Sequence, residues 1–323
     1  MRDRFVSTLV GLAAQDPNLH LITGDLGFGV LKPFWEQFPD QFTNAGIAEQ
    51  NMTGFAAGMA LEGKTVFTYS IGNFPTLRAV EQIRNDCAYH EANVKIVCVG
   101  GGFVYGALGM SHHATEDLAV MRALPNVTVM APSDPRQAQL ATEAVYAQPG
   151  TCYLRLGRGG EPELISDHDE FRIGRAIAVR EGSDVALLFT GGIADEVMEA
   201  RRLLAADGVD TAVVSFPTVK PIDTGTIARM AGEFRTLVTV EEHNIVGGFG
   251  SAVAEVLAEL PAPRARLIRI GLEDTYSAVV GSQRYLRDVY GMSAARIRSR
   301  LLNALRAVRE EFPQSSSRLD SHG

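Results

Sequence analysis

Short, nearly continuous apolar runs alternate along this chain with longer segments whose apolar residues recur at helical spacing, and that alternation predicts β-α units on mainly parallel sheets. In the first half the strand candidates are 19–23, 65–70, 94–99, 127–131 and 152–156. Their unbroken Val, Ile and Leu content marks strands covered on both faces. Helices are expected at about 48–62, 75–90, 115–123 and 134–147, the last announced by the helix-starting Pro132-Ser133-Asp134-Pro135. The N-terminus opens into an amphipathic helical pattern. Around 157–170 the pattern gives way to polar, Gly-, Pro- and Asp-containing sequence, which reads as a linker. A second α/β series follows, with strands near 185–189, 212–216, 237–240 and 265–270. The expected organisation is two mainly parallel α/β domains, 1–160 and 172–312, joined by a linker at 161–171 and followed by a disordered tail at 313–323.

Composition narrows the partners. The 323 residues are 46% hydrophobic and 21% charged, enough for a large buried core. Thirty-eight acidic against 30 basic residues, a net charge of −8 and no basic run argue against nucleic acid. No stretch approaches the ~20 apolar residues of a membrane helix, so a cytoplasmic protein is expected. Cys87, Cys98 and Cys152 are odd in number, lack C-x-x-C spacing and lie in apolar segments, which predicts buried free thiols.

Several motifs compete for the chemistry. Gly58 to Thr65 formally satisfies the G-x-x-x-x-G-K-[ST] pattern of a nucleotide phosphate loop, but here a helix precedes the loop and a strand follows, the reverse of what phosphate binding needs. Gly63 as a helix C-cap, with Lys64 at the negative helix end, explains the pattern better. Gly24-Asp25-Leu26-Gly27-Phe28-Gly29 is a weak dinucleotide fingerprint, yet Asp25 lies at a strand's carboxyl end, as do 69–74, 100–113 and 155–158. In open α/β sheets that rim binds ligands. In 44–59, Met52, Phe55, Ala56 and Met59 form a helical stripe, Gly54 and Gly58 permit close approach of another element, and Glu49 falls in the first turn. By itself Glu49 could simply answer the helix dipole.

Gly46-Ile47-Ala48-Glu49-Gln50 followed by Gly54, Ala57 and Gly58 resembles the pyrimidine-binding domain of the transketolase superfamily, and nearly the whole chain shares the likeness. The resemblance implies thiamine diphosphate as cofactor, with Glu49 meeting N1′ of its aminopyrimidine. A carboxyl group there favours the imino tautomer that generates the carbon nucleophile. Tyr69 to Pro75, followed by Arg78-Ala79 and Glu81 to Arg84, resembles the segment whose aromatic residue stacks on the pyrimidine. That role falls to Phe74, with Tyr69 and Asp25 as further cofactor contacts. Gly106 to Asp117 resembles the family's G-x-D-G-x-T-H-Q segment, which implies that His112 contacts substrate oxygens and assists proton transfer, with His113 nearby. Arg158 matches an arginine that meets substrate phosphate. Each has a plainer alternative: core packing for Phe74, helix capping for His112, a linker-surface position for Arg158.

The likeness has departures. Leu108 stands where many members carry an aspartate for a sugar hydroxyl, and Gly100 lies near the place of a phosphate-binding histidine. The domain from Phe171 resembles the family's C-terminal domain through Thr190-Gly191-Gly192 and 240–250, for which a structural and oligomeric role is implied, His243 included. No segment matches the Gly-Asp-Gly motif and following asparagines that bind the diphosphate and its divalent metal, Mg or Ca. A partner chain supplying that site is therefore implied: the N-terminal subunit of a split transketolase, in an α2β2 assembly. The expected activity is transfer of a two-carbon ketol unit from a ketose donor to an aldehyde or other small acceptor. A 2-oxo-acid dehydrogenase β subunit and two-carbon transfer to a carrier protein remain as alternatives, and a phosphate-loop nucleotide-binding protein stands outside the class.

Overall fold

The structure, a computed structural model, describes residues 1–166, 170–261 and 265–311. Part of the expected linker and all of the expected tail at 313–323 lie outside the described residues. The first half contributes β1 (Leu19–Thr23), β2 (Phe42–Asn44), β3 (Thr65–Ile71), β4 (Val94–Val99), β5 (Val127–Met130) and β6 (Thr151–Leu156). The second contributes β7 (Ile177–Arg180), β8 (Val185–Thr190), β9 (Thr211–Ser215), β10 (Thr218–Lys220), β11 (Thr236–Asn244) and β12 (Arg266–Leu272). Seven strands form one sheet in the order β10-β5-β6-β4-β3-β1-β2, and five form the other in the order β12-β11-β8-β9-β7. The pairs are parallel except at two edges, where β10 on β5 and β7 on β9 run antiparallel.

The central strands are buried along their whole length, as their continuous apolar runs require. Alternation within a strand sends successive residues to opposite layers. In the first sheet Leu19, Leu21, Phe67, Tyr69 and Val97 meet the helices Arg2–Ala13 and Pro135–Ala147. Ile22, Val66, Ile96 and Cys98 meet Met52, Ala56 and Ala60 of the helix Glu49–Leu61 on the other face. That helix ends at Gly63, whose φ of +92° is the left-handed geometry expected of a C-terminal cap. Helix, cap and then β3 is the wrong order for a phosphate loop, so the Gly58 to Thr65 match is a helix terminus. All three cysteines are buried and unpaired, and burial pushes the thiols of Cys87 and Cys98 up to about 12.

Three differences from the sequence reading stand out. β2, β7 and β10 are edge strands of three or four residues, too short for period-2 alternation to be legible. The expected helix at 75–90 is instead a 3₁₀ turn at Leu77–Ala79, a short α segment at Val80–Gln82 and a π turn at Ile83–Ala88. The domains also share a sheet, because β10 from the second half extends the first sheet through Thr218↔Met130 and Lys220↔Val129. Its Lys220 ammonium donates to the carbonyls of Arg122 (3.1 Å) and Leu124 (2.5 Å), fastening the seam.

Asp134 shows how one capping residue ties helix, strand end and linker together. One carboxylate oxygen accepts from Gln137 N–H (2.6 Å) at the start of helix Pro135–Ala147, and the other from Leu164 N–H (2.9 Å) and Ile165 N–H (3.1 Å). Asp134 is fully buried, so its loss strands these donors away from water. Asp134→Ala should therefore lower unfolding free energy by about 2–4 kcal/mol in urea titration, and Asp134→Asn by less, since the amide keeps one acceptor.

Candidate active site

The candidate site lies at the carboxyl edge of the first sheet. Asn44, the last residue of β2, ties the loops beside it: its Oδ1 accepts from Asp25 N–H (2.9 Å) and Gly46 N–H (3.0 Å), and its Nδ2 donates to Asp25 Oδ1 (3.0 Å). The two loops after β1 and β2 are thus joined through one amide. Gly46 at φ +74° turns the chain so that Ala48 caps, and Glu49 begins, the next helix. Gly24 lies against this turn, its Cβ direction 3.4 Å from Gly46 O and 3.9 Å from Glu49 Cγ. Glu49 is 5% exposed and lines a cleft of about 520 Å³ with Ile47, Ala48, Gln50, Asn51 and Arg78.

Arg78 compensates the buried carboxylate from the open side. Its Nη1 stands 3.3 Å from both Glu49 oxygens, and its guanidinium lies 4.2 Å from the centre of the Phe74 ring. Phe74 in turn meets His112 edge-on at 5.1 Å. Glu49, Arg78, Phe74 and His112 therefore form one contiguous group from three separate loops and helix starts. Asn73 holds two of those loops together by donating to His113 O (2.7 Å) and Ser111 O (3.4 Å). Partial burial, then His113 and the Arg78 cation, hold the His112 imidazole below its usual pKa. It is neutral near pH 7, able to accept a proton or to donate one from a single ring nitrogen. A buried carboxylate in the cleft, with a half-buried aromatic ring and a neutral imidazole in the contiguous group beside it, suits recognition and protonation control of a planar heterocycle.

The remaining sequence candidates lie elsewhere. Asp25 is exposed and committed to Asn44. Tyr69 faces the opposite layer of the sheet, 2% exposed and stacked on Phe5 at 6.0 Å, so it is a core residue and not a wall of the cleft. His113 turns inward: it is buried, its Nε2 is 3.1 Å from Gly106 O and its ring meets Phe103 edge-on. It supports the loop that carries His112 and presents no face to the cleft. Arg158 is exposed just past β6, with its guanidinium 5.9 Å from the Tyr105 ring. The Tyr105 ring fills the place where a Cβ at Gly100 would lie. Leu108 is 57% exposed on the lip of the same loop and is not part of a hydroxyl-binding core.

Arg78, Asn44, Asn73 and Arg155 were not singled out from sequence. Arg155 had a legible signal, a cation inside a strand run buried on both faces. Its Nε donates to Asp117 Oδ2 (2.8 Å), and its Nη2 donates to Ala114 O (2.8 Å) and Glu242 O (3.0 Å). Tyr153 donates to the same Asp117 oxygen (2.5 Å).

Helices cover both faces of each sheet, and the candidate site lies at the carboxyl edge of the first, the arrangement of an α/β protein that takes a ligand at the sheet edge. Residues 1–161 match the model for the transketolase pyrimidine binding domain and 174–297 that for the transketolase C-terminal domain, and the chain belongs to the transketolase family. It is 37% identical to a putative transketolase C-terminal section of Methanocaldococcus jannaschii, over 95% of this chain and 96% of that one. It is 36% identical to one subunit of the apulose-4-phosphate transketolase of Phocaeicola vulgatus, covering 90% and 93%. A solved split-gene transketolase described as an inactive β4 tetramer superposes with a TM-score of 0.83 at 35% identity, over 94% of this chain and 97% of that one. The transketolase of Campylobacter jejuni superposes at 0.78 with 18% identity, covering 94% of this chain and 46% of that one, a likeness of fold alone. The family depends on thiamine diphosphate, and a chain of this kind works with a partner chain.

Asp117 and Arg155 are 0% and 3% exposed, so removing one charge leaves the other buried without its counter-ion. Asp117→Asn should cost about 3–5 kcal/mol of unfolding free energy, measured by chemical denaturation, whereas Tyr153→Phe, which keeps the ion pair, should cost about 1 kcal/mol.

Proposed function

We propose that this chain is the pyrimidine-gripping subunit of a two-component transketolase that moves a two-carbon ketol unit between small carbonyl substrates. The observation that carries the reading is Glu49, a buried carboxylate at a helix start, opening on a cleft beside the aromatic face of Phe74 and the imidazole of His112. The pyrimidine end of thiamine diphosphate fits this donor set: one carboxylate for a ring nitrogen, one aromatic face for a planar ring. For the diphosphate and metal end the chain offers less. Among the described residues, no group of His, Cys, Asp or Glu is arranged to hold a metal ion. An N-terminal transketolase subunit holding the diphosphate and a divalent metal completes the site on this reading, in an α2β2 assembly.

When bound, thiamine diphosphate supplies the carbon nucleophile that carries the two-carbon unit. Glu49 holds a proton at the pyrimidine nitrogen. Phe74 orients the ring once Arg78 leaves its face. His112 receives and returns protons at the substrate oxygen, and Arg158, open to solvent, faces an anionic substrate group. The exposed Leu108 lip favours an acceptor with no hydroxyl to satisfy at that point. The description of the split-gene neighbour as an inactive tetramer agrees with a requirement for the second subunit.

Cofactor binding and turnover of a ketose donor by this chain, by its complex with the partner and by a Glu49→Ala complex test the reading. Turnover is expected from the wild-type complex alone, with the Glu49→Ala complex assembled but slower by about 10²–10⁴. Full activity in the isolated chain, or in the mutant complex, would overturn it.

A further inference from the structure

The loop from Gly102 to Ala114, which carries His112, contains no regular element beyond the 3₁₀ turns Gly106–Leu108 and Met110–His112. Its shape is therefore set by how its base is held. Gly102 and Ala114 close that base with a reciprocal pair of backbone hydrogen bonds, 2.8 and 3.0 Å. Beneath them lies Glu242, 2% exposed and delivered by β11 of the second domain. Its Oε1 accepts from Phe103 N–H (2.5 Å) and its Oε2 from Arg287 Nε (2.5 Å), while Gln283 Nε2 spans both oxygens at 3.0 and 3.1 Å. Arg287 is anchored in turn by Asp195 Oδ1 (2.9 Å) and Gly192 O (2.6 Å). The fit is close enough that a Cβ on Gly102 would overlap the Glu242 carboxylate. The other arm of the loop is fixed to the same residue, because Arg155 joins Ala114 O to Glu242 O.

We propose that Glu242 is a positioning residue: from the second domain, its carboxylate holds the Phe103 arm of the His112 loop while its backbone carbonyl meets the Ala114 arm through Arg155, and so it sets the imidazole against the Glu49 cleft. The catalytic half of the proposal rests on the functional reading above, whereas the positioning half concerns only this chain. It gives the second domain a task beyond packing and association.

Glu242→Gln tests it, since both oxygens accept from N–H groups and an amide presents one acceptor and one clashing donor. Hydrogen–deuterium exchange of the isolated chain should show amides 104–113 exchanging about tenfold faster, while β11, β12 and the helix Phe249–Glu259 keep wild-type protection. The His112 imidazole, still facing Arg78 and His113, should titrate at higher pH by NMR as its loop hydrates. Glu196→Gln removes a different buried carboxylate contact of the same domain, to Ala294 N–H, and should leave both readouts unchanged. If Glu242→Gln does not fold, Gln283→Leu, which spares the Arg287 pair, should give a smaller acceleration confined to the loop. Wild-type exchange across 104–113, or acceleration spread evenly over the second domain, would overturn the proposal. In the complex, kcat should fall about tenfold with KM little changed. A loosened loop with undiminished turnover would instead defeat the catalytic role given to His112 and leave the positioning intact.

Discussion

The buried guanidinium of Arg155 is the constraint around which the rest of the molecule is arranged. A guanidinium cannot shed its charge, and removing one from water costs several kcal/mol unless its donors and its charge are both met. Here Asp117 meets the charge, and two carbonyls from different domains accept from Nη2. The residues above it must then be small. A Cβ on Gly101 would overlap the guanidinium, and one on Gly191 would stand 3.2 Å from its Nη1. The ion therefore dictates sequence in the first domain's rim loop and in the second domain's first turn at once. It also fixes the spacing between the sheets, because neither domain can withdraw without leaving carbonyl or cation unpaired.

This seam explains why the domains share more than a linker. β10 leaves the second domain's sheet region to pair with β5, Gly191 N–H donates to Ala131 O, and Ser215 reaches Ser133 and Gln137. The Pro132-Ser133-Asp134-Pro135 stretch thus serves two ends, starting a helix on one side and receiving the second domain on the other. A residue run that announces a helix cannot by itself reveal that its polar atoms are also an interface.

The legible parts of the fold were those set by local pattern. Central strands such as Leu19–Thr23 and Val94–Val99 announce themselves because burial on both faces demands unbroken apolar sequence. The helix Glu49–Leu61 and its cap were legible for the same kind of reason, periodicity followed by Gly63. What stayed hidden depends on tertiary direction. His112 and His113 are neighbours in sequence, yet loop geometry turns one to the Phe74 ring and the other to the Gly106 carbonyl. Tyr69 and Phe74 sit in one rim segment, but strand alternation sends the first into the core. Arg155 and Arg158 are three apart, and the family likeness drew attention to the exposed one while the buried one holds the structure.

The surroundings of Glu49 follow from the same logic of compensation. A carboxylate 5% exposed needs a partner, and here the partner is Arg78, half of whose side chain remains in solvent. Ile47, which lines the same cleft, is 75% exposed, an apolar surface that no described residue covers. An ion pair with one wet member is tolerable while the cleft is open, and it becomes costly once a second surface closes over it. On the proposed reading, that difference favours exchanging the guanidinium for a ring nitrogen that can share a proton with Glu49. The planar ring would then take the Phe74 face that Arg78 now covers. The open half-site is in this sense consistent with its own incompleteness: Arg78 satisfies the carboxylate without closing the cleft, and leaves the aromatic face recoverable.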